Sequence, residues 1–254
     1  MSVTVGQILE LLEKIAPVEL AEEWDNVGLL VGSCDAKVDC VLCALDLNRS
    51  VLEEAIENGA QMIVTHHPIM FRGRKNVRED DEEGRLICSL IRAGISLAAM
   101  HTNFDNVHPG VNDALAEKLG LRNVRPMEHG MCAGCTDAMT LGAFADVVRE
   151  RLGGTVRIYG DGEKIISKVA VLGGAGEDYV PQAIACGADV FVTGEMSYHK
   201  GLDAVSEGLC VLEAGHAETE NPAISMLAGG LQIASNSVQY KIRVLCSAKG
   251  LFYK

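Results

Sequence analysis

Two adjacent histidines, in the segment Thr65-His66-His67-Pro68, directly follow a predicted strand over Gln61–Thr65. Sites in open α/β sheets lie at the carboxyl ends of strands. Neighbouring side chains on a regular strand point to opposite faces, but the turn that Pro68 forces lets both imidazoles face one crevice. Because neutral imidazole is a common ligand of divalent transition metals, the segment indicates a metal site. The alternative is a pair of strand-end histidines that hydrogen-bond to the backbone.

Carboxylates and a further histidine follow two later predicted strands. Asp105 follows the third strand, and His216 and Glu220 follow the equivalent strand of the second half. If residues 216–220 open a helix, their spacing puts His216 and Glu220 on one face. Such a set could hold two divalent ions, with Glu220 bridging them and water filling the remaining positions. The nitrogen and oxygen ligands suit Zn, Fe, Mn, Co or Ni, so the ligand set does not identify the metal.

His101, four residues before Asp105, has two interpretations. Beside bound metals it could act as a general base or orient a neighbouring ligand. The other interpretation is an ordinary core or orienting histidine.

An internal duplication is predicted to position these residues. Residues 55–65 and 183–193 match at an offset of 128, with six of eleven positions identical, and residues 99–105 match 214–220 at an offset of 115. We interpret the chain as α/β, with two similar halves and a metal crevice between them at the strand carboxyl ends. The alternative is that any two βαβ segments share this pattern. The predicted domains are 1–128 and 129–234, and a C-terminal strand within 235–254 is a candidate to join the first.

Short apolar runs alternate with amphipathic segments, which is typical of an α/β fold. A capping box at Thr4 and Gln7 predicts that a helix begins there. Glycines at the ends of later segments, such as Gly94, are predicted to stop helices. The predicted strands are Val41–Leu47, Gln61–Thr65, Ile95–Met100 and Val238–Cys246, and the predicted helices include Ser50–Asn58, Leu86–Ala93 and Val111–Leu119.

Composition excludes several functional classes. The chain has 254 residues with 22 Lys and Arg against 35 Asp and Glu, a net charge of −13, so nucleic-acid binding through an overall basic field is disfavoured. No apolar run approaches the roughly 20 residues that a membrane span needs. The nine cysteines are an odd number in a long chain, which does not suggest a secreted disulfide framework. We therefore expect a reduced, cytoplasmic protein.

Four further motifs each have a functional and a structural interpretation. The basic run Arg72–Arg78 could bind a phosphate-bearing substrate, but the acidic run that follows favours a solvated loop. Gly173–Gly176 could cradle an anion, although a tight strand-to-helix turn is the default. Cys132 and Cys135 form one C-x-x-C pair, which is a candidate redox dithiol or zinc pair and more simply a loop with two free thiols. Glu195 and His199 are either substrate contacts or hydrogen-bonded capping residues.

Several segments together resemble the YbgI-like, Nif-three-like family, whose members are often called type 2 GTP cyclohydrolase I homologs. The segments are Glu23–Leu29, Val64–Pro68, His101–Asp105, Thr193–His199 and Glu213–Glu220. The resemblance implies a two-domain α/β fold, a toroidal homohexamer and a dinuclear metal site. It places the metal ligands on the residues that the spacing also indicates, which are His66, His67, Asp105, His216 and Glu220.

The resemblance also implies a function. The expected activity is a dinuclear metal-dependent hydrolysis, of the GTP cyclohydrolase type, on a nucleotide-like or phosphorylated small molecule through metal-activated water, with His101 moving protons. The alternative is a non-catalytic metal carrier or an oligomeric regulatory scaffold. One departure from the family lies at Gly130–Cys135, where relatives have a Gly-rich run containing an arginine and this chain has a thiol pair. Any anion contact made there by relatives is not expected here.

Overall fold

The chain divides into two compact units in a computed structural model that describes residues 2–249. Unit 1 combines the residues up to Val107 with those from Ile224 onward, and unit 2 runs from His108 to Ala223. Met1 and residues 250–254, which end the predicted C-terminal segment, lie outside the described residues. The domain limits expected from the sequence, 128 and 234, stay a prediction.

The order of strands and helices is that of a mixed α/β protein, as predicted. The strands are β1 (Val3–Thr4), β2 (Gly28–Val31), β3 (Lys37–Val38), β4 (Cys40–Ala44), β5 (Met62–Thr65), β6 (Ser96–Ala99), β7 (Arg122–Pro126), β8 (Cys132–Thr140), β9 (Arg157–Tyr159), β10 (Ile165–Ala175), β11 (Val190–Glu195), β12 (Cys210–Glu213) and β13 (Arg243–Cys246). The helices are α1 (Val5–Ile15), α2 (Arg49–Glu57), α3 (Glu82–Ala93), α4 (Thr102–Asn106), α5 (Val111–Lys118), α6 (Leu141–Leu152), α7 (Val180–Ala185), α8 (Tyr198–Ser206), α9 (His216–Glu220) and α10 (Pro222–Ser237). Among the described residues, no helix is long and apolar enough to cross a membrane.

Unit 1 is built on a five-stranded sheet in the order β13-β4-β5-β6-β2. The first four strands are parallel and β2 is antiparallel to β6. Every residue of β4, β5 and β6 is buried, which explains why these strands read as continuous apolar runs. Helices α2 and α3 bury their apolar stripes against this sheet. The carboxyl ends of β5 and β6 therefore lie side by side, and the candidate site residues of unit 1 follow them directly.

Local signals explain where the helices of unit 1 begin and end. The capping box predicted at α1 is present, because the Thr4 hydroxyl accepts from the Gln7 amide and the Gln7 side chain accepts from the Thr4 amide. Gly94 ends α3 in the left-handed conformation, with φ 65°, as predicted. The C-terminal strand is shorter than predicted, because α10 continues to Ser237 and β13 begins only at Arg243.

Unit 2 is built on a six-stranded sheet in the order β7-β8-β10-β11-β12-β9. Strands β10, β11 and β12 are parallel, and the remaining pairings are antiparallel. One face packs on α5 and α6 through residues such as Leu115 and Phe144, and the other packs on α7 and α8 through Ala183 and Ala204. The polar stretch with the C-x-x-C pair, expected to be a loop, is strand, because β8 pairs on both of its edges.

The two units share a parallel three-strand arrangement, which is compatible with the duplication. Val41 pairs with Met62 in unit 1 and Val169 pairs with Val190 in unit 2, so the first two strands agree at the predicted offset of 128. In the third strand, Ser96 lies opposite Met62 and Cys210 lies opposite Val190, an offset of 114. The predicted offset of 115 is therefore wrong by one residue here. The duplication itself stays an interpretation.

Candidate metal centre

His66 is fixed at the end of β5 with one ring nitrogen committed to the backbone. Its side chain is 1% exposed, and Nδ1 donates to the Met100 carbonyl at 2.7 Å. Because a carbonyl can only accept, the proton lies on Nδ1, and neutral His66 keeps a lone pair on Nε2. Asp105 Oδ1 lies 3.6 Å from this Nε2. An imidazole nitrogen and a carboxylate oxygen side by side are donors of the kind that a divalent transition metal binds.

His67 has the same arrangement with a carboxylate partner. Its Nδ1 is 2.8 Å from Asp46 Oδ1, and the imidazole is 23% exposed. Asp46 follows β4, the parallel neighbour of β5, so the adjacent strand ends bring the two side chains together. A carboxylate that accepts from Nδ1 fixes the ring orientation and makes Nε2 a better metal ligand. Asp46 is therefore a positioning residue for His67.

His101 completes a three-imidazole cluster in unit 1. His66, His67 and His101 each offer a ring nitrogen, and these atoms lie within 4.8 Å of one another. His101 Nδ1 is 2.8 Å from Asp25 Oδ1, which also fixes its tautomer. The structure thus brings His101 to the histidine pair, whereas its role stays the predicted one of proton transfer or orientation.

Asp25 is a fully buried carboxylate held by several donors. It accepts from His101 and from both the backbone amide and the hydroxyl of Thr102. Burial alone raises the pKa of Asp25, but the hydrogen bonds from His101 and Thr102 outweigh it and hold this pKa well below its usual range. Asp25 is therefore an anion at neutral pH beside His101.

Replacing Asp25 by asparagine is expected to destabilise the protein near neutral pH. A group with a lowered pKa in the folded state adds stability above its unfolded pKa, about 3.9, and loses it as the pH falls through the folded value. Hydrogen bonds to a charged group contribute on the order of 1.5–3 kcal/mol each. Asp25→Asn should lower the free energy of unfolding at pH 7, and the gap to wild type should narrow below about pH 4. Urea unfolding of both proteins at pH 7 and below about pH 4 measures the difference in free energy of unfolding. An equal difference under the two conditions would contradict the prediction.

In unit 2, His216 and Glu220 lie on one face of α9, as the four-residue spacing predicted. His216 Nε2 is 3.2 Å from Glu220 Oε1, and Glu220 is 4% exposed. His216 Nδ1 is 2.8 Å from Glu195 Oε1 at the end of β11. Glu195 thus orients His216, which neither of its two sequence interpretations states. The neutral tautomer that donates to Glu195 again directs an Nε2 lone pair toward a carboxylate.

The end of β10 makes room for this pair. Gly174 has φ +66°, and a Cβ added there would lie 2.3 Å from Glu220 Oε1 and 3.3 Å from His216 Nε2. The amides of Gly173 and Gly174 already donate to Asn112 and Thr219. These two amides are therefore already used and do not cradle an anion, and the glycine run ends β10 and leads through Gly176 into the helical segment that follows, as the default interpretation predicted. Its function is to let backbone approach the Glu220 carboxylate.

The donor set fits divalent metal ions. In both units each histidine of the predicted set has its Nδ1 fixed by an oxygen, a backbone carbonyl for one and carboxylates for the others. Metal-ligating histidines show this pattern, because the second nitrogen is then a correctly oriented lone-pair donor. Carboxylates lie beside the Nε2 atoms of His66 and His216. Unit 1 thus brings together His66, His67 and Asp105, and unit 2 brings together His216 and Glu220.

Two exposed aromatic rings flank the imidazole cluster of unit 1. Trp24 is 57% exposed and Phe71 is 51% exposed, and their ring centroids are 5.4 Å apart. Each ring centroid is 6.2 Å from that of His101. Exposed aromatic side chains beside a few polar groups, here the imidazoles, are typical of sites that bind flat organic rings.

For the basic run and for His199, the structure favours the structural interpretation over the functional one. In the basic run, Arg74 pairs with Asp81 and Glu83, and Arg78 pairs with Asp80, so the acidic run neutralises them. His199 is exposed on α8 and is not part of either ligand group.

Cys132 and Cys135 do not form a dithiol. They lie in continuous register on β8, opposite Val171 and Lys168, and an odd separation on a strand points side chains to opposite faces. Cys132 is buried in the core of unit 2, and Cys135 lines a surface cavity of about 210 Å³. The redox and C-x-x-C zinc interpretations of the pair are therefore wrong.

Comparisons with known proteins identify the family of this chain. A model of the Duf34/NIF3 (NGG1p interacting factor 3) family matches residues 3–249. A GTP cyclohydrolase 1 type 2 homolog of Clostridium acetobutylicum is 34% identical and covers 99% of this chain and 98% of that protein, and one of Clostridium perfringens is 37% identical over 87% and 88%. A crystal structure of a hypothetical protein of Staphylococcus aureus matches with a TM-score of 0.94 at 30% identity over 100% of both chains. Because the family model spans nearly the whole chain, this protein belongs to the Duf34/NIF3 family, as the sequence resemblance predicted.

Proposed function

We propose that this protein is a dinuclear metal-dependent hydrolase of the GTP cyclohydrolase type that acts on a nucleotide-like or phosphorylated small molecule. The proposed ligands of two divalent ions per chain are His66, His67, Asp105, His216 and Glu220. The names of the relatives and the family membership support this proposal. The single observation that carries it is that hydrogen bonds fix Nδ1 of all three histidines, which directs Nε2 of His66 and of His216 toward a carboxylate.

Divalent ions supply Lewis acidity and lower the pKa of water, which gives a nucleophile at neutral pH. The chain supplies proton transfer through His101. Asp25 accepts from His101 Nδ1 and stays ionised, so it would stabilise the imidazolium that forms when His101 takes up a proton at Nε2. The carboxylate also holds the ring in one orientation, as the aspartate of a catalytic triad does for its histidine.

The aromatic pair supports a flat heteroaromatic substrate. Trp24 and Phe71 expose their rings beside His101, and a purine ring that stacks there would lie next to the three imidazoles. Stacking of a base on an aromatic side chain contributes roughly 1–3 kcal/mol. Arg74 and Arg78 are already paired with carboxylates, so a phosphate group on the substrate would gain little from them.

Turnover of purine nucleotides by the metal-loaded protein tests the proposal. We expect hydrolysis of at least one member of a panel that includes GTP, and its loss in His101→Gln, which cannot act as a base. Trp24→Ala should raise KM by roughly 5- to 150-fold, the factor for the lost stacking energy, with the metal content unchanged. His199→Ala, an exposed histidine on α8, is the matched control and should keep full activity.

The absence of turnover with the metals bound would contradict the hydrolase and favour the alternative, a metal carrier or an oligomeric regulatory scaffold. The toroidal homohexamer implied by the resemblance and the cytoplasmic location expected from the composition also stay proposals.

A further inference from the structure

We propose a second, separate metal site in unit 2, formed by His108, Asp113 and Cys132, that takes a borderline-soft divalent ion such as Zn²⁺. None of these residues belongs to the ligand set of the proposed dinuclear centre. The proposal therefore does not depend on the proposed hydrolase function.

Three different elements bring the residues together. His108 lies just before α5, Asp113 lies in the first turn of α5, and Cys132 is the first residue of β8. One ligand atom from each residue lies within 4.8 Å of the other two. His108 Nδ1 is 2.8 Å from Asp113 Oδ2, and this oxygen also accepts from the Gly110 amide at 2.9 Å. The carboxylate is thus held in place by the helix start, and it fixes the imidazole.

Hydrogen bonds hold the three ligand atoms of the cluster together. His108 Nδ1 and the Cys132 thiol both hydrogen-bond to the Asp113 carboxylate. A cation that took the place of these two protons would contact an imidazole nitrogen, a thiolate and a carboxylate oxygen at once. The side chains of His108 and Asp113 are 24% and 25% exposed, which gives an ion access from solvent to a cluster whose thiol is fully buried.

The donors are chemically distinct from those of the proposed dinuclear centre. A thiolate, an imidazole and a carboxylate with one open position suit zinc, which binds sulfur, nitrogen and oxygen ligands tetrahedrally. Burial, together with the charge of Asp113 and the hydrogen bond to it, raises the pKa of the Cys132 thiol to about 12, so without metal the sulfur stays protonated. When the ion binds, the S–H bond breaks, a sulfur–metal bond forms, and the thiol proton leaves to solvent. The imidazole proton moves from Nδ1 to Nε2, so that Nδ1 can bind the ion.

Cobalt(II) titration of the metal-free full chain tests this site, because a thiolate-to-cobalt charge-transfer band requires a cysteine ligand. We expect the band in wild type and its removal by added Zn²⁺. Cys132→Ser should abolish it. Cys135→Ser is the matched control, since Cys135 lies on the opposite face of the same strand, and it should keep the band.

Two further variants separate the possible outcomes. His108→Ala keeps the thiol, and the cobalt affinity measured from the charge-transfer band should fall by at least 10-fold. This variant tests the site independently if Cys132→Ser fails to fold. His67→Ala should leave the band intact, even if the proposed dinuclear centre fails. A wild type without the band, or a band that survives in Cys132→Ser, would overturn the proposal and leave Asp113 as a helix cap that accepts from His108 and the thiol.

Discussion

Replacing His67 by alanine is expected to weaken metal binding by far more than the roughly 10- to 100-fold loss that follows removal of an orienting partner. The imidazole offers Nε2 as a ligand, and an alanine side chain has no donor atom to replace it. The side chain is half-buried and its Nδ1 partner, Asp46, is 39% exposed, so water can satisfy the carboxylate when the ring is gone. The melting temperature of the metal-free protein should therefore change little. Calorimetric titration of that protein with Mn²⁺ and Zn²⁺ measures the affinity.

Asp46→Asn and His199→Ala complete this series. Asp46→Asn keeps the ligand and its geometry but removes the charge that makes Nε2 a stronger donor, so it should lose roughly 10- to 100-fold in affinity. His199→Ala should bind as wild type does. Equal metal affinities for His67→Ala and wild type would exclude His67 as a ligand. The alternative interpretation of His66 and His67, as strand-end histidines that hydrogen-bond to the backbone, would then apply.

Gly174→Ala is expected to disrupt the unit 2 ligands and to destabilise the protein. The added Cβ would lie 2.3 Å from Glu220 Oε1, so the buried carboxylate or the strand end must move. A φ of +66° adds roughly 1–2 kcal/mol of strain for any residue with a Cβ. We expect a lower free energy of unfolding and a reduced metal affinity together, measured by urea unfolding and by the same titration.

Gly187→Ala is the control that adds backbone strain without displacing a metal ligand. Gly187 has φ +74° in unit 2, and its added Cβ would meet no heavy atom within 4 Å. This variant should therefore lose a similar 1–2 kcal/mol of stability and keep its metal affinity. If Gly174→Ala also kept its metal affinity, Glu220 would not be a ligand held in a required position.

The ligand candidates could be predicted because they depend on local spacing. His216 and Glu220 are four residues apart on a helix, and His66 and His67 end an apolar strand that is recognisable from its composition. The positioning residues could not be assigned in this way. Asp46 lies beyond the end of β4 at Ala44, whereas the sequence predicted a strand as far as Leu47, which placed Asp46 inside it. The neighbouring strand end, not the local sequence, gives Asp46 its function.

Long-range packing explains the remaining differences. The need for a glycine at 174 arises from a carboxylate on α9, which is distant in the sequence, so the local sequence suggested only a tight turn or an anion cradle. Strand β6 of unit 1 is followed by a short helix that begins at Thr102, and strand β12 of unit 2 is followed by one that begins at His216. Structurally, His216 therefore corresponds to Thr102 and not to His101, although the match of residues 99–105 with 214–220 paired it with His101.

The metal content of the chain tests the central claim most directly. Elemental mass spectrometry would be run on Cys132→Ser protein purified without chelator, so that only the nitrogen and oxygen ligands are counted. We predict about two ions per chain, the number in two-metal hydrolytic sites, and their loss in a folded variant that also carries His66→Ala and His216→Ala. A chain that holds no ion, even after incubation with Zn²⁺, Mn²⁺ and Fe²⁺, would contradict the proposed metal centre.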